Sequence, residues 1–365
     1  MRVIFAGGGT GGHLYPGLAI ARAMVRLDPA VHVVFVGARR GIEARVMPGT
    51  GFAHVLLDLH PLYRRHVWRN VQSAGSLFGA WHKVGELMRA HRPSVVVGLG
   101  GYASGVTLAW AVTHSVPVVQ QAGDSIPGLA ARAFSPWSRV LYVGFPEAAH
   151  RLRRGRQTEV VIAGNPIEPP PVPRPAKAES LARLGWTEAT GRERVVLVFG
   201  GSQGSFAINE AVQRWVKQGL PDDLRVIWAT GWSRWEEYRQ NENRQVLVKP
   251  FLTPIADAYA ACDLAVTRAG AMTCAELAAW GVPAIMIPLP TAAADHQTGN
   301  AKAVEAAGAG VLLREKDLTA PRLGEIVLGL LGDASALAGM AAAARETGRS
   351  DAAETIARDI LARFA

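Results

Sequence analysis

The sequence predicts an α/β protein built from two Rossmann-like domains, each a parallel sheet covered by helices on both faces. Three observations point there. Short apolar runs alternate with helix-patterned stretches along the whole chain, as buried parallel strands joined by crossover helices do. The alternation breaks at a proline-rich stretch from Asn165 to Pro175, which suits neither a helix nor a central strand, and restarts at Val195. The chain has 365 residues, 49% of them hydrophobic, enough to fill two cores. The first domain is expected over residues 1–164 and the second over 165–345.

In the first half, strands are expected at Val3–Ala6, Val31–Val36, Val95–Leu99, Val118–Gln120 and Val160–Ala163. The first helix is expected from Leu14 to Leu27. In the second half, strands are expected at Val195–Phe199, Arg225–Ala229, Gln245–Lys249, Leu264–Thr267 and Ala284–Ile287. Helices are expected from about Phe206, from Ala271 and over Asp351–Phe364.

Two cysteines, Cys262 and Cys274, stand in no metal-ligand spacing and define no disulfide framework. The N-terminus lacks the pattern of a signal peptide and no apolar run reaches the length of a membrane span, so a cytoplasmic location is expected. The net charge of +9 is unevenly spread: residues 1–164 carry 18 Lys and Arg against 7 Asp and Glu, while the rest carries 21 against 23. An anionic partner is therefore expected for the first half, a membrane surface or a nucleic acid.

Glycine-rich turns follow three of the strands: Gly8 to Gly12, Gly98 to Gly105 and Gly200 to Gly204. Each suits an anion held by backbone N–H groups at a helix start, and each also suits a tight turn with no ligand. The first contains the dinucleotide spacing Gly7, Gly9, Gly12. His13 follows it at a helix start, where the dipole disfavours a cation, so a neutral imidazole is a candidate general base. A fourth turn runs from Arg268 into a helix at Ala271 whose first amides suit a diphosphate. Glu276, in that helix, suits the two hydroxyls of a ribose. Asp295, His296, Gln297 and Asn300 suit sugar hydroxyls, or Asp295 caps a solvated helix.

Residues 60–92 interleave apolar and aromatic side chains with Arg and Lys and contain almost no acid. Leu77, Phe78 and Trp81, with Lys83 and Arg89, fit a surface that dips into a lipid interface. Their helical spacing also fits a core. Two readings compete with sugar transfer. A nicotinamide-dependent oxidoreductase would use the first glycine turn, but its second strand ends in Gly37, Ala38, Arg39 and Arg40, without the acid a ribose needs. A non-catalytic lipid-surface or nucleic-acid-binding protein would use the basic half but leave the sugar-type cluster without a role.

Five segments together resemble the MurG family: Gly8 to Leu18, Gly100 to Gly105, Gly200 to Gly204, Arg268 to Glu276 and Asp295 to Gln297. The motifs occur in family order over essentially the whole chain. The resemblance implies a GT-B glycosyltransferase whose two domains face each other across a cleft, with the last helix, about 346–365, crossing back to the first domain. It implies inverting transfer of GlcNAc from UDP-GlcNAc to the C4 hydroxyl of MurNAc in undecaprenyl-diphosphate-linked lipid I, giving lipid II. No cofactor and no metal are implied. The alternative is a GT-B relative with another UDP-sugar or lipid acceptor.

For the donor the resemblance implies Thr10, Gly11, Gly12, Asp124, Ser202, Leu252, Arg268, Ala271, Met272, Thr273, Cys274, Ala275, Glu276, His296 and Gln297. For the acceptor it implies Gly100, Gly101, Tyr102 and Ser104, and for the base His13. Membrane contact falls to Leu77, Phe78 and Trp81. Partners are then UDP-GlcNAc, lipid I and an anionic membrane surface at the cytoplasmic face, and no nucleic acid. Two positions depart from the family pattern: Ala122 and Asp124 stand where Glu and Asn are usual, and Glu168 stands where Arg is usual. Asp124 is a second, weaker candidate for the base.

Overall fold

A computed structural model describes residues 1–59, 73–201, 204–252 and 254–365. It divides into two compact units, residues 1–168 with 351–365, and residues 169–350.

Unit 1 holds strands β1 (Arg2–Gly7), β2 (His32–Ala38), β3 (Ala53–Leu57), β4 (Val95–Gly100), β5 (Val118–Ala122), β6 (Val140–Val143) and β7 (Glu159–Ile162). Its helices are α1 (Gly11–Leu27), α2 (Glu43–Val46), α3 (Ser73–His91), α4 (Ser104–Thr113), α5 (Leu129–Phe134) and α6 (Pro146–Ala149). All the strand pairs are parallel, in the order β3-β2-β1-β4-β5-β6-β7. Alternate residues of β1 serve opposite faces. Val3 and Phe5 pack with Leu14, Leu18 and Met24 of α1, while Ile4 and Ala6 pack with Val84 and Met88 of α3 and Leu108 of α4.

Unit 2 holds α7 (Lys177–Arg183), β8 (Arg194–Phe199), α8 (Phe206–Lys217), β9 (Leu224–Ala229), α9 (Trp235–Tyr238), β10 (Val246–Lys249), α10 (Ala256–Ala261) and β11 (Leu264–Thr267). It continues with α11 (Ala271–Trp280), β12 (Ala284–Met286), α12 (His296–Ala306), β13 (Gly310–Leu312), α13 (Ala320–Gly332) and α14 (Ala334–Thr347). This sheet is also parallel, in the order β10-β9-β8-β11-β12-β13. The final helix, α15 (Ala352–Phe364), returns to unit 1.

The structure adds three strands to those expected: β3, β6 and β13. The first and last have five and three residues, and β6 is fully buried yet only four residues long. Helix α1 begins at Gly11, three residues ahead of its apolar periodicity, so the last glycines of the first turn are already helical. Residues 165–168 belong to unit 1 rather than to a linker. Asn165 is tied there by its amide to the Gly123 carbonyl and by its oxygen to the Gln121 amide, and Ile167 is buried. Residues 346–350 stay with unit 2, where Gly348 packs on the backbone of Ala278 and Ala279. Ala353, Ile356, Ala357 and Ile360 of α15 join the core beside α1, and Asp359 accepts the Tyr142 hydroxyl at 2.6 Å.

Candidate active site

In an open parallel sheet, a crevice forms where neighbouring strands send their connections to opposite faces, beyond their carboxyl ends. Unit 1 has that point between β1 and β4, and unit 2 has it between β8 and β11. All four turns singled out in the sequence leave these strands: Gly7–Gly12 follows β1, Gly100–Ser104 follows β4, Gly200–Gly204 follows β8, and Arg268–Glu276 follows β11. The topology gathers them in two pairs.

In unit 1 the two turns touch. The Gly8 amide donates to the Gly100 carbonyl at 3.3 Å. The His13 ring lies against Gly100 and Gly101: a Cβ on Gly100 would sit 3.0 Å from the ring, and one on Gly101 would strike the Gly8 carbonyl at 2.1 Å. Both glycines also have positive φ, 89° and 76°. Thr10 is the N-cap residue of α1, and its hydroxyl meets His13 Nδ1 at 3.0 Å. In the tautomer whose Nδ1–H donates to Thr10, Nε2 is the basic atom. Gly11 and Gly12 supply first-turn amides, which a helix leaves without intrahelical acceptors.

The first glycine turn is not an open phosphate cradle. The Gly9 amide donates to the Glu43 carboxylate at 2.6 Å, so the protein's own acid fills that place. The sequence reading missed Glu43. Its only signal was position, soon after the second strand, and nothing in its neighbours marks it as buried. Burial holds its carboxyl above the usual carboxylate range. Tyr102 packs its ring on Gly9. Ser104 is buried, and its hydroxyl donates to the Gly101 carbonyl at 2.8 Å, which shapes its own turn. Asp124 lies in the loop after β5, beside the Asn165 tether on Gly123. Glu168 pairs with Arg22 at 2.5 Å, both half-exposed, which gives its charge a partner within unit 1.

In unit 2 the turn after β11 presents a helix start. Gly270 is the N-cap residue of α11, so the amides of Ala271, Met272 and Thr273 head the helix. Glu276 accepts the Tyr259 hydroxyl on Oε2 at 2.7 Å, which fixes the carboxylate on the helix. Burial raises its affinity for a proton. Cys274 and Leu252 are buried, while Ala275 is only partly covered. Ser202 lies outside the described residues, as do residues 60–69 of the basic aromatic stretch.

Arg268 has a buried guanidinium that donates to the carbonyls of Ile287 and Pro288 and to the Ser205 hydroxyl, and it pairs with Glu315. These contacts brace the turn from beneath. Asn300 adds a second brace, its amide donating to the Ala269 carbonyl at 3.0 Å. Gln297 is held by the Leu289 amide on its oxygen at 2.9 Å, which leaves its NH₂ as the outward donor. His296 is the first residue of α12. Ala294 and Asp295 just before it both have positive φ, a strained backbone for residues with a Cβ. Asp295 caps no amide with its side chain but accepts the Thr298 hydroxyl at 2.6 Å.

On α3, the buried face is Ala80, Val84, Leu87 and Met88. Leu77, Phe78 and Trp81 are exposed, Phe78 by 77%, so these apolar side chains are surface and not core. Among the described residues no single helix is long and apolar enough to cross a membrane. Among those residues, too, no group of three or more His, Cys, Asp and Glu is placed to hold a metal ion.

Two parallel-sheet units with turns paired at their switch points have the architecture of an α/β enzyme that binds nucleotide-type ligands at the carboxyl ends of its strands. The glycosyltransferase family 28 N-terminal domain matches residues 3–143, and the family 28 C-terminal domain matches residues 195–356. A UDP-N-acetylglucosamine–N-acetylmuramyl-(pentapeptide) pyrophosphoryl-undecaprenol N-acetylglucosamine transferase of Salinibacter ruber is 39% identical over 99% of this chain and 96% of its own. The protein of that name from Syntrophotalea carbinolica is 37% identical over 98% of both chains. The crystal structure of Acinetobacter baumannii MurG superposes with a TM-score of 0.74 at 26% identity, over 99% of each chain. The chain belongs to the MurG family of N-acetylglucosaminyltransferases within glycosyltransferase family 28.

Proposed function

We infer that this protein transfers GlcNAc from UDP-GlcNAc to undecaprenyl-diphosphate-linked MurNAc-pentapeptide, lipid I, and so makes lipid II for peptidoglycan. The observation that carries the reading is end-to-end similarity to transferases of that name, spanning both units.

The residue roles follow from chemistry. In unit 2, the α11 amides suit the donor diphosphate, and Glu276 suits the ribose through the oxygen that Tyr259 leaves uncovered. Gln297 suits a sugar hydroxyl with its oriented NH₂. In unit 1, Gly100, Gly101 and Tyr102 suit the acceptor, and Thr10 orients His13. The acceptor O4 attacks the anomeric carbon from the face opposite UDP. The new C1–O4 bond forms as the bond from C1 to the phosphate oxygen breaks, and that electron pair leaves with UDP. The hydroxyl proton passes to His13 Nε2. Amides at a helix start stabilise the charge that grows on UDP. Leu77, Phe78 and Trp81, on the basic half of the chain, suit contact with an anionic membrane at the cytoplasmic face, where a polyprenyl-linked acceptor is presented.

The test is label transfer from UDP-[¹⁴C]GlcNAc to a lipid I analogue by the purified protein. Labelled lipid product is expected. Failure with UDP-GlcNAc and success with another UDP-sugar would overturn the assignment. In a parallel sedimentation assay with anionic vesicles, Phe78→Ser and Trp81→Ser together should weaken binding, and unchanged binding removes the membrane role of this patch.

A further inference from the structure

Glu43 is 1% exposed and lies directly beneath the first glycine turn. A carboxyl in such a place is costly unless the structure is shaped to hold it. Three glycines make that shape, Gly8 from the first turn and Gly37 and Gly41 from the segment just ahead of Glu43. A Cβ on Gly8 or Gly41 would fall within 2 Å of a Glu43 carboxyl oxygen, and one on Gly37 would meet its Cγ at 2.7 Å. Oε1 accepts the Gly9 amide at 2.6 Å, and among the described residues no hydrogen-bond partner meets the buried Oε2. Gly8 and Gly9 have φ of 137° and 97°, a backbone that only glycine adopts readily, so this turn has no Cβ between it and the Glu43 carboxyl. Helix α1 starts two residues later and carries Thr10 and His13 rigidly with it.

We propose that Glu43 is a positioning residue for the transfer, its carboxyl holding the Gly8–Gly9 turn so that Thr10 and His13 meet the reacting hydroxyl. The proposal rests on the reading of His13 as the base. Glu43 touches no substrate in this scheme. It acts through the Gly9 amide, while the Tyr102 ring presses on Gly9 beside it. A one-ångström error in the delivery of a base costs about 100-fold in rate.

The experiment measures kcat, KM for UDP-GlcNAc and equilibrium binding of UDP for wild type, Glu43→Ala, Glu43→Gln, His13→Ala and the Glu43→Ala/His13→Ala pair. Glu43→Ala should lose about 100-fold in kcat, with donor KM and UDP affinity within about threefold of wild type. Glu43→Gln keeps an acceptor oxygen for the Gly9 amide and should recover kcat to within about fivefold. The double variant should be no slower than His13→Ala, because one residue works through the other. Glu43→Asp, too short to reach Gly9, stands in for Glu43→Ala if the latter fails to fold, and a circular-dichroism melt reports that folding. Wild-type kcat in Glu43→Ala overturns the proposal. So does a Glu43→Gln enzyme as slow as Glu43→Ala, or a parallel loss of UDP binding. Wild-type turnover in His13→Ala overturns the base reading and with it the route by which Glu43 acts, whereas wild-type kcat in Glu43→Ala beside a slow His13→Ala overturns the Glu43 role alone.

Discussion

The two turns that follow β1 and β11 solve one geometric problem in opposite ways. Both carry a chain from the end of a buried strand into a helix whose first amides face outward. After β1 the solution is glycine: the chain folds closely round its own Glu43, His13 and Gly100, and much of its backbone polarity is satisfied from within. After β11 a single glycine suffices, and buried side chains brace the turn: Arg268 and Asn300 from beneath, Tyr259 on Glu276 from the side. Glycine density therefore marks close approach of any kind. The helix start with the clearer presentation follows the turn with fewer glycines.

The contrast can be broken at its strongest point. His13→Ala should lower kcat by about 10²- to 10⁴-fold with UDP affinity unchanged, since a base serves the reaction and not donor binding. A matching loss of UDP affinity would mean that the first turn binds donor as the second does. Next in size, Arg268→Ala should lower stability by about 3 kcal/mol, because the Ile287 and Pro288 carbonyls and the Ser205 hydroxyl lose their buried donor and the partly exposed Glu315 loses its cation. A chemical melt that shifts little, beside a large loss of UDP affinity, would mark Arg268 as a ligand.

Tyr259→Phe should weaken UDP binding by about five- to tenfold, through loss of one hydrogen bond to a charged group. The pH dependence sharpens the same site. Burial raises the proton affinity of Glu276, so the folded form gains stability as pH falls through its raised value. A ribose needs the ionised acceptor, so UDP affinity should decline on acidification, beginning above the ordinary glutamate range. Calorimetric titration across pH should show this decline in wild type and lose it in Glu276→Gln. The smallest effect belongs to the half-exposed Arg22–Glu168 pair, where Glu168→Ala should cost less than about 1 kcal/mol. A larger change in donor KM would show that this position still speaks to the donor.

Much of the site was legible because its signals are local. A strand that runs into glycines and then into a helix is written in consecutive residues, and so are the start of α11 at Ala271 and the exposed apolar positions on α3. The family resemblance rests on the same consecutive motifs. Short strands such as β3 and β13 were not legible, because three to five residues carry too little periodicity to stand apart from loops. Glu43 was not legible for a different reason. It stands on a four-residue helix in a run of unremarkable residues, and only folding brings Gly8 and the Gly9 amide to it.

Composition, alternation and turn chemistry by themselves determined an α/β chain with two parallel sheets, a basic first half and phosphate-type turns at strand ends, since each follows from neighbours in sequence. Only the tertiary structure decided which polar groups those turns keep for the protein. Arg268, Ser104 and the Gly9 amide face inward to partners between 3 and 63 residues away, and a pairing across such distances is set by packing.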